Sequence, residues 1–135
     1  MKSVAFGLFG LALAYCDAGF GRQQRETAWK SLEEAQKAGK CKYIGVSNYQ
    51  CGLLKEMEEY ATVMPAVNQL ELHPRFSSPE LRELAAEMGV VLTGYGSGNS
   101  LIIEKSPAIA AIAKKVGKSP MQVNCRTCKR RFFNR

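Results

Sequence analysis

Residues 43–72 read YIGVSNYQCGLLKEMEEYATVMPAVNQLEL, a helical pattern between two short apolar runs. The first run, Tyr43 to Ser47, predicts a β-strand, and the second, Ala66 to Leu72, predicts another. Between them, Gly52 to Ala61 places leucine, methionine and alanine side chains at helical spacing. Two strands joined by a helix in this order predict parallel pairing through a right-handed crossover.

The same alternation continues on both sides of these residues. The expected elements are a helix at Glu26–Ala38 that stops at Gly39, a helix from the N-cap Ser78 and Pro79 to Gly89, a strand at Val90–Tyr95, a helix from Ser106-Pro107 to Gly117, and a further helix from Ser119-Pro120. The class is therefore α/β, with about three parallel strands and four or five helices. A doubly wound sheet and part of a (β/α)8 barrel use the same repeating unit, so the pattern alone leaves both open.

Composition excludes several classes of protein. The chain has 135 residues, of which 46% are hydrophobic and 23% charged, as expected for one globular domain. The longest apolar run, Val4 to Ala14, is shorter than the roughly 18–20 residues of a membrane span, so no span is predicted. The net charge is +7, but five positive charges lie in the last dozen residues. Because this basicity belongs to a tail, a nucleic-acid partner is not predicted for the body of the protein.

The N-terminal segment has two interpretations. Lys2, the apolar run and the small residues near Cys16 and Ala18 have the outline of a secretory signal peptide. The same run also fits a short buried strand or helix. The predicted organisation is a signal peptide at 1–18, a body at 24–123 and a basic tail at 124–135. Secretion follows if the signal is real, and a cytoplasmic location follows otherwise.

Cysteine spacing gives one weak candidate for a metal site. Cys125 and Cys128 have the spacing of half a zinc site or of a redox pair. Zinc needs two more ligands, whereas Cys41, Cys51 and His73 are scattered along the chain. A redox pair is expected after a strand at the start of a helix, not in a basic tail. No metal site is therefore predicted.

Four motifs resemble, in order and spacing, successive segments of the aldo-keto reductases, which are NADPH-dependent carbonyl reductases. They are Ile44–Asn48, Pro65–Pro74, Val91–Tyr95 and Gly117–Val123. The resemblance covers about residues 25–123. It implies that the three expected strands are strands five, six and seven of the family's eight-stranded barrel, so the body would be a partial TIM barrel. NADP(H) is the implied cofactor.

The resemblance also implies a cofactor site at the carboxyl ends of these strands. Ser47, Asn48 and Gln69 match residues that hydrogen-bond the nicotinamide carboxamide, and Tyr95 matches the tyrosine that stacks on the ring. Ser97 falls in the loop that resembles the family's pyrophosphate loop, here about three residues shorter. Barrel active sites are built at this face. Without the resemblance, Ser47 and Asn48 could cap a helix, Gln69 could bind a backbone group and Tyr95 could be a core residue.

No catalytic residue is predicted. The family uses an aspartate, a tyrosine, a lysine and a histidine from the first half of the barrel, and no residue here matches them. His73 lies in a different motif, so a structural role is expected for it. The chain is therefore predicted to be an oxidoreductase fragment that is inactive alone.

An alternative function is a non-enzymatic interaction module. Three parallel strands leave open edges, which favour self-association or pairing with a complementary half-barrel. The basic tail offers a second interaction surface. Six apolar side chains are expected on a poorly covered inner face: Ile44, Val46, Val67, Leu70, Val91 and Leu92.

Overall fold

The computed structural model describes residues 6–8, 11–17, 19, 21–74, 76–96 and 106–129. Five strands and five helices lie within these residues. The strands are β1 (Phe6–Leu8), β2 (Leu11–Asp17), β3 (Tyr43–Ser47), β4 (Val67–Glu71) and β5 (Val91–Tyr95). The helices are α1 (Arg22–Lys37), α2 (Cys51–Met57), α3 (Pro79–Glu87), α4 (Pro107–Val116) and α5 (Pro120–Cys128).

The described strands form one sheet in the order β1-β2-β3-β4-β5. β1 pairs with β2 antiparallel, β2 with β3 parallel, and β3 with β4 parallel. Two hydrogen bonds join the flanks of β4 and β5: Val91 N–H donates to Ala66 O at 3.0 Å, and Leu72 N–H donates to Tyr95 O at 3.3 Å. The α/β class is thus confirmed, with β3, β4 and β5 as the three predicted parallel strands.

The sheet is extended by β2 and β1, which come from the segment with the signal-like pattern. β2 lies beside β3 over five residues, from the pair Leu13 and Tyr43 to the pair Asp17 and Ser47. A short apolar run has the same composition whether it is a buried strand or the apolar part of a signal peptide. Only the pairing with β3 distinguishes a strand from the apolar part of a signal peptide here.

The chain divides into two compact units. The first comprises Met1–Leu70 and Pro79–Thr93, and the second comprises Glu71–Ser78 and Gly94–Arg135. In the first unit the large buried side chains are Trp29, Ile44, Val46, Tyr49, Leu54, Met57, Leu70 and Leu81. In the second unit they are Leu72, His73, Val123, Asn124 and Cys128.

Helix ends follow local hydrogen bonding. α1 begins at Arg22, four residues before its predicted start, where the Gly21 N–H donates to the Gln24 side chain at 3.1 Å. α2 ends at Met57, before the predicted end, and the chain then winds through tighter i→i+3 hydrogen bonds as far as Tyr60.

The last two helices begin where the sequence predicts. Ser106 precedes α4, and Gly117 ends it with a φ of 62°. Ser119 Oγ accepts from the Gln122 N–H at 3.2 Å, and the Gln122 side chain accepts from the Ser119 N–H at 2.9 Å. This reciprocal capping starts α5, which continues to Cys128 and so includes residues 124–128 of the predicted tail.

The start of α3 differs from prediction in one detail. The helix begins at Pro79 as expected, but Ser78 has a φ of 34°. N-cap residues normally have extended backbone, so the predicted cap is not of the usual kind.

The six apolar side chains expected on one inner face do not share a face, because Val67 pairs with Gly45 and so lies opposite Val46. Ile44, Val46 and Leu70 are at most 1% exposed, whereas Val91 is 61% exposed. Successive residues of a strand point to opposite faces, so Val46 and its neighbour Ser47 lie on different sides of the sheet. Of the six expected side chains, Val91 on β5 is exposed, and Val67 and Leu92 are partly exposed.

Candidate functional site

Two polar residues meet at the carboxyl ends of β3 and β4. Ser47 and Gln69 are direct partners in the parallel register, one position beyond the pair of Val46 and Asn68. Val46 and Asn68 are fully buried, while Ser47 and Gln69 are partly exposed. Because paired residues of neighbouring strands share a face, Ser47 and Gln69 lie side by side on the face opposite Val46 and Asn68.

The side chains of Ser47 and Gln69 retain hydrogen-bonding capacity. Within the part of the chain that the structure describes, neither side chain makes a hydrogen bond. A serine hydroxyl both donates and accepts, and a glutamine carboxamide offers an N–H₂ donor and a carbonyl acceptor. Together they can bind a ligand group that also carries both donors and acceptors.

Asn48 follows directly and has a left-handed backbone, with a φ of 61°. Asparagine tolerates this conformation better than most residues other than glycine. Its backbone N–H donates to Gln69 O at 2.8 Å, which holds the chain against β4 for one residue beyond the end of β3. The turn thus places Asn48 beside the pair of Ser47 and Gln69.

A buried carboxamide fixes the next residue. Asn68 Nδ2 donates to Tyr49 O at 2.7 Å, and the Tyr49 N–H donates to Asn68 Oδ1 at 3.3 Å. Both residues are 0% exposed. No role for Asn68 is predicted from the sequence. The sequence does contain an indication of this role. Asn68 is a polar residue two positions before Leu70, so it lies on the face of β4 where the apolar side chains predict burial.

Tyr95 ends β5 in the second unit and is 42% exposed. Its backbone carbonyl accepts from the Leu72 N–H, and its partial exposure suits a residue that meets a ligand. The structure therefore brings Ser47, Asn48 and Gln69 together and places Tyr95 at the carboxyl end of another strand of the sheet. Ser97 lies outside the described residues.

His73 has the contacts of a structural residue. It is 6% exposed, and its Nε2 lies 3.1 Å from Glu71 Oε1. Phe76 N–H donates to His73 O at 2.8 Å, and the two rings are tilted with centroids 6.2 Å apart. These interactions close a tight turn after β4.

Metal-binding groups are scattered among the described residues. No cluster of three or more histidine, cysteine or acidic side chains in them could hold a metal ion. Within the described residues no disulfide joins Cys41, Cys51, Cys125 or Cys128, and Cys125 is exposed whereas Cys128 is buried.

Comparison with known proteins identifies the family of this chain. The model of the Aldo/keto reductase family matches residues 5–126. The chain belongs to the aldo/keto reductase family. The matched region is longer than the residues 25–123 of the sequence motifs, since it also includes β1, β2 and residues 124–126 of α5.

The relatives are full reductases of which this chain matches a part. It is 40% identical over 107 residues to "Aldo-keto reductase family 4 member C11" of Arabidopsis thaliana, covering 74% of this chain and 34% of the relative. It is also 40% identical over 109 residues to the "NAD(P)H-dependent D-xylose reductase" of Scheffersomyces stipitis. This match covers 70% of this chain and 34% of the relative. The chain thus spans about a third of the length of these curated relatives.

The fold agrees with a solved aldo/keto reductase. The crystal structure of the aldo/keto reductase from Brucella melitensis superposes with a TM-score of 0.73 and 27% sequence identity. The match covers 84% of this chain and 43% of that chain. The prediction of a partial aldo/keto reductase barrel is confirmed.

Proposed function

We propose that this chain forms the nicotinamide-binding part of an NADP(H)-dependent carbonyl reductase. The proposal rests on the pair of Ser47 and Gln69, whose side chains lie side by side with open hydrogen-bonding capacity. A nicotinamide carboxamide carries one carbonyl acceptor and one N–H₂ donor, so it is complementary to this pair. The nicotinamide specificity in the name of the D-xylose reductase relative supports the same cofactor class.

Each residue has a role in this proposal. Ser47, Asn48 and Gln69 hold the carboxamide and thereby set the orientation of the ring. Tyr95 stacks on the ring, as a flat apolar side chain with an exposed face can do. For Ser97, which lies outside the described residues, the family resemblance implies a role in binding the phosphates. When bound, the cofactor supplies a hydride to the carbonyl carbon of an aldehyde or ketone.

Turnover additionally needs a proton donor at the carbonyl oxygen. No residue of this chain matches the family's catalytic aspartate, tyrosine, lysine or histidine, and Tyr49 is 0% exposed. We therefore expect the 135-residue chain alone to bind cofactor without reducing carbonyls. Oxidation of NADPH with an aromatic aldehyde above the buffer blank would contradict this expectation.

Cofactor titrations of matched variants test the site. Ser47→Ala and Gln69→Leu each remove one hydrogen-bonding side chain, so we expect NADPH to bind about 5- to 10-fold more weakly. Ser31→Ala and Gln23→Leu make the same changes on α1 and should leave the affinity within about twofold. Equal affinities for all four variants would exclude the proposed site.

Exposed apolar surface on β5 favours a second role, the binding of another polypeptide at this strand. Val91 is 61% exposed on the last strand of the described sheet, and such strands are templates for pairing. The expected partner is a second copy or a complementary half-barrel. Sedimentation velocity over a concentration series should show association that Val91→Lys abolishes. Val63→Lys, at a 42% exposed site outside the sheet, should leave association unchanged.

The location of the protein depends on residues 1–18. β2 pairs with β3 over five residues, and the family match begins at residue 5. These observations support retention of the segment as a strand, in place of its removal as a signal peptide. N-terminal sequencing of the native protein tests this, because a start after Cys16 or Ala18 would show cleavage. None of the described helices is long and apolar enough to cross a bilayer.

A further inference from the structure

We infer that Asn68 is a positioning residue for the nicotinamide site, acting through Tyr49 on the backbone of Asn48. Asn68 itself lies on the buried face of β4, opposite Gln69, and so has no direct access to the ligand. The inference rests on the proposed function, because it explains how one of the proposed carboxamide ligands is held in place.

The backbone of Asn48 is held on both sides by β4. Its own N–H donates to Gln69 O at 2.8 Å. The backbone of the next residue, Tyr49, is held through both its N–H and its C=O by the Asn68 side chain, at 3.3 and 2.7 Å. Consecutive residues of β4 therefore fix consecutive residues of the turn.

The conformation of Asn48 requires such support. A non-glycine residue at a φ of 61° is in a sparsely populated region, and it persists only where its surroundings favour it. Rotation of Asn48 toward ordinary backbone angles would displace the Tyr49 peptide groups from Asn68. The carboxamide of Asn68 thus opposes relaxation of the turn and keeps the Asn48 side chain aimed in one direction.

Burial makes the contact difficult to replace. Asn68 and Tyr49 are both 0% exposed, so water cannot readily take over the hydrogen bonds of the Tyr49 backbone. If the carboxamide is removed, two buried backbone groups lose a partner and the turn must shift to satisfy them. Such a shift moves Asn48, which is adjacent, and leaves Ser47 and Gln69 in the register of the sheet.

The experiment compares Asn68→Leu, which keeps the approximate shape but removes both hydrogen bonds, with Leu70→Ala on the same face of the same strand. Leu70 is 1% exposed, so its truncation destabilises the core, and because a leucine side chain has no donor or acceptor it removes no hydrogen bond to the turn. Cofactor affinity is measured by NADPH titration well below the melting temperature of each variant. The three-bond coupling between the Asn48 amide and α protons, measured without cofactor, reports its φ angle.

We expect NADPH to bind about tenfold more weakly to Asn68→Leu, with a changed coupling constant at Asn48. Leu70→Ala should melt earlier yet keep both the affinity, within about twofold, and the coupling constant. Asn68→Asp provides a second, milder variant. Its introduced carboxyl can donate to Tyr49 O when protonated, so its affinity relative to the unmodified chain should recover as the pH is lowered.

Unchanged affinity in Asn68→Leu, or an equal loss in Leu70→Ala, would overturn the inference. If the unmodified chain binds no NADPH, the proposed function fails and the cofactor role of Asn68 fails with it. The coupling constant separates the two failures, because it shows without any ligand whether Asn68 fixes Asn48.

Discussion

Arg25 of α1 and Glu56 of α2 form a forked ion pair that joins the two helices. Arg25 Nη2 donates to both carboxylate oxygens of Glu56, at 2.7 and 2.8 Å, and Nε donates to Oε1 at 3.1 Å. The Arg25 side chain is 9% exposed and that of Glu56 18%. Hydrogen bonding to Glu56 raises the pKa of Arg25 above its ordinary value. The stability that comes from this raised pKa is fully present at neutral pH and is lost in strong alkali, as the pH rises through the folded-state pKa of Arg25.

Replacement of Glu56, one partner of this ion pair, should destabilise the first unit. Glu56→Gln leaves a mostly buried guanidinium without its counter-charge, so we expect the free energy of unfolding to fall by about 1–3 kcal/mol. Urea denaturation followed by the fluorescence of Trp29 measures this. Glu59→Gln is the control, because its pair with Arg22 is exposed and should contribute little. Equal effects of the two variants would show that burial of the pair is unimportant.

Trp29 should also contribute strongly to stability. It is 0% exposed, and its indole Nε1–H donates to Val63 O at 3.2 Å. Trp29→Phe loses this hydrogen bond and leaves a cavity, for an expected cost of about 1–3 kcal/mol. Circular dichroism must follow unfolding here, since the chain has one tryptophan. Tyr43→Phe, at a residue that is 38% exposed, should change stability little, and an equal loss there would contradict the prediction.

Replacement of two glycines by alanine should change the stability of the fold in opposite directions. Gly96 has a φ of 71° directly after β5, so Gly96→Ala should cost about 1–2 kcal/mol of backbone strain. Gly52 lies in α2, and no neighbouring atom comes within 4 Å of the place that an alanine Cβ would occupy there. Gly52→Ala should therefore stabilise by about 0.5–1 kcal/mol. Thermal melts of both variants measure the signs. A stabilised Gly96→Ala variant would show that the turn does not need its left-handed backbone.

Local signals in the sequence predicted some elements closely. β3 has the predicted bounds, because five apolar or small residues lie between polar ones. α4 also has its predicted start and end, because Ser106-Pro107 and Gly117 are strong signals for helix ends. These signals act through hydrogen bonds within a few residues and are therefore visible in the sequence.

The features that the sequence left open or missed depend on distant pairing. β2 becomes a strand by lying beside β3, roughly thirty residues later in the chain. The role of Asn68 depends on Tyr49, nineteen residues earlier, and on the fold that buries both. The sequence could place Ser47, Asn48 and Gln69 at strand ends. It could not show that β4 holds the backbone of Asn48 and Tyr49.

The central claim, that this chain holds a nicotinamide cofactor, is tested most directly by a thermal melt of the chain with and without saturating NADPH. A ligand that binds only the folded state raises its stability by about 2.7 kcal/mol at a hundred times its dissociation constant. We predict a cooperative transition that moves several degrees upward with NADPH and less in Gln69→Leu. A transition that NADPH leaves unchanged would contradict the claim.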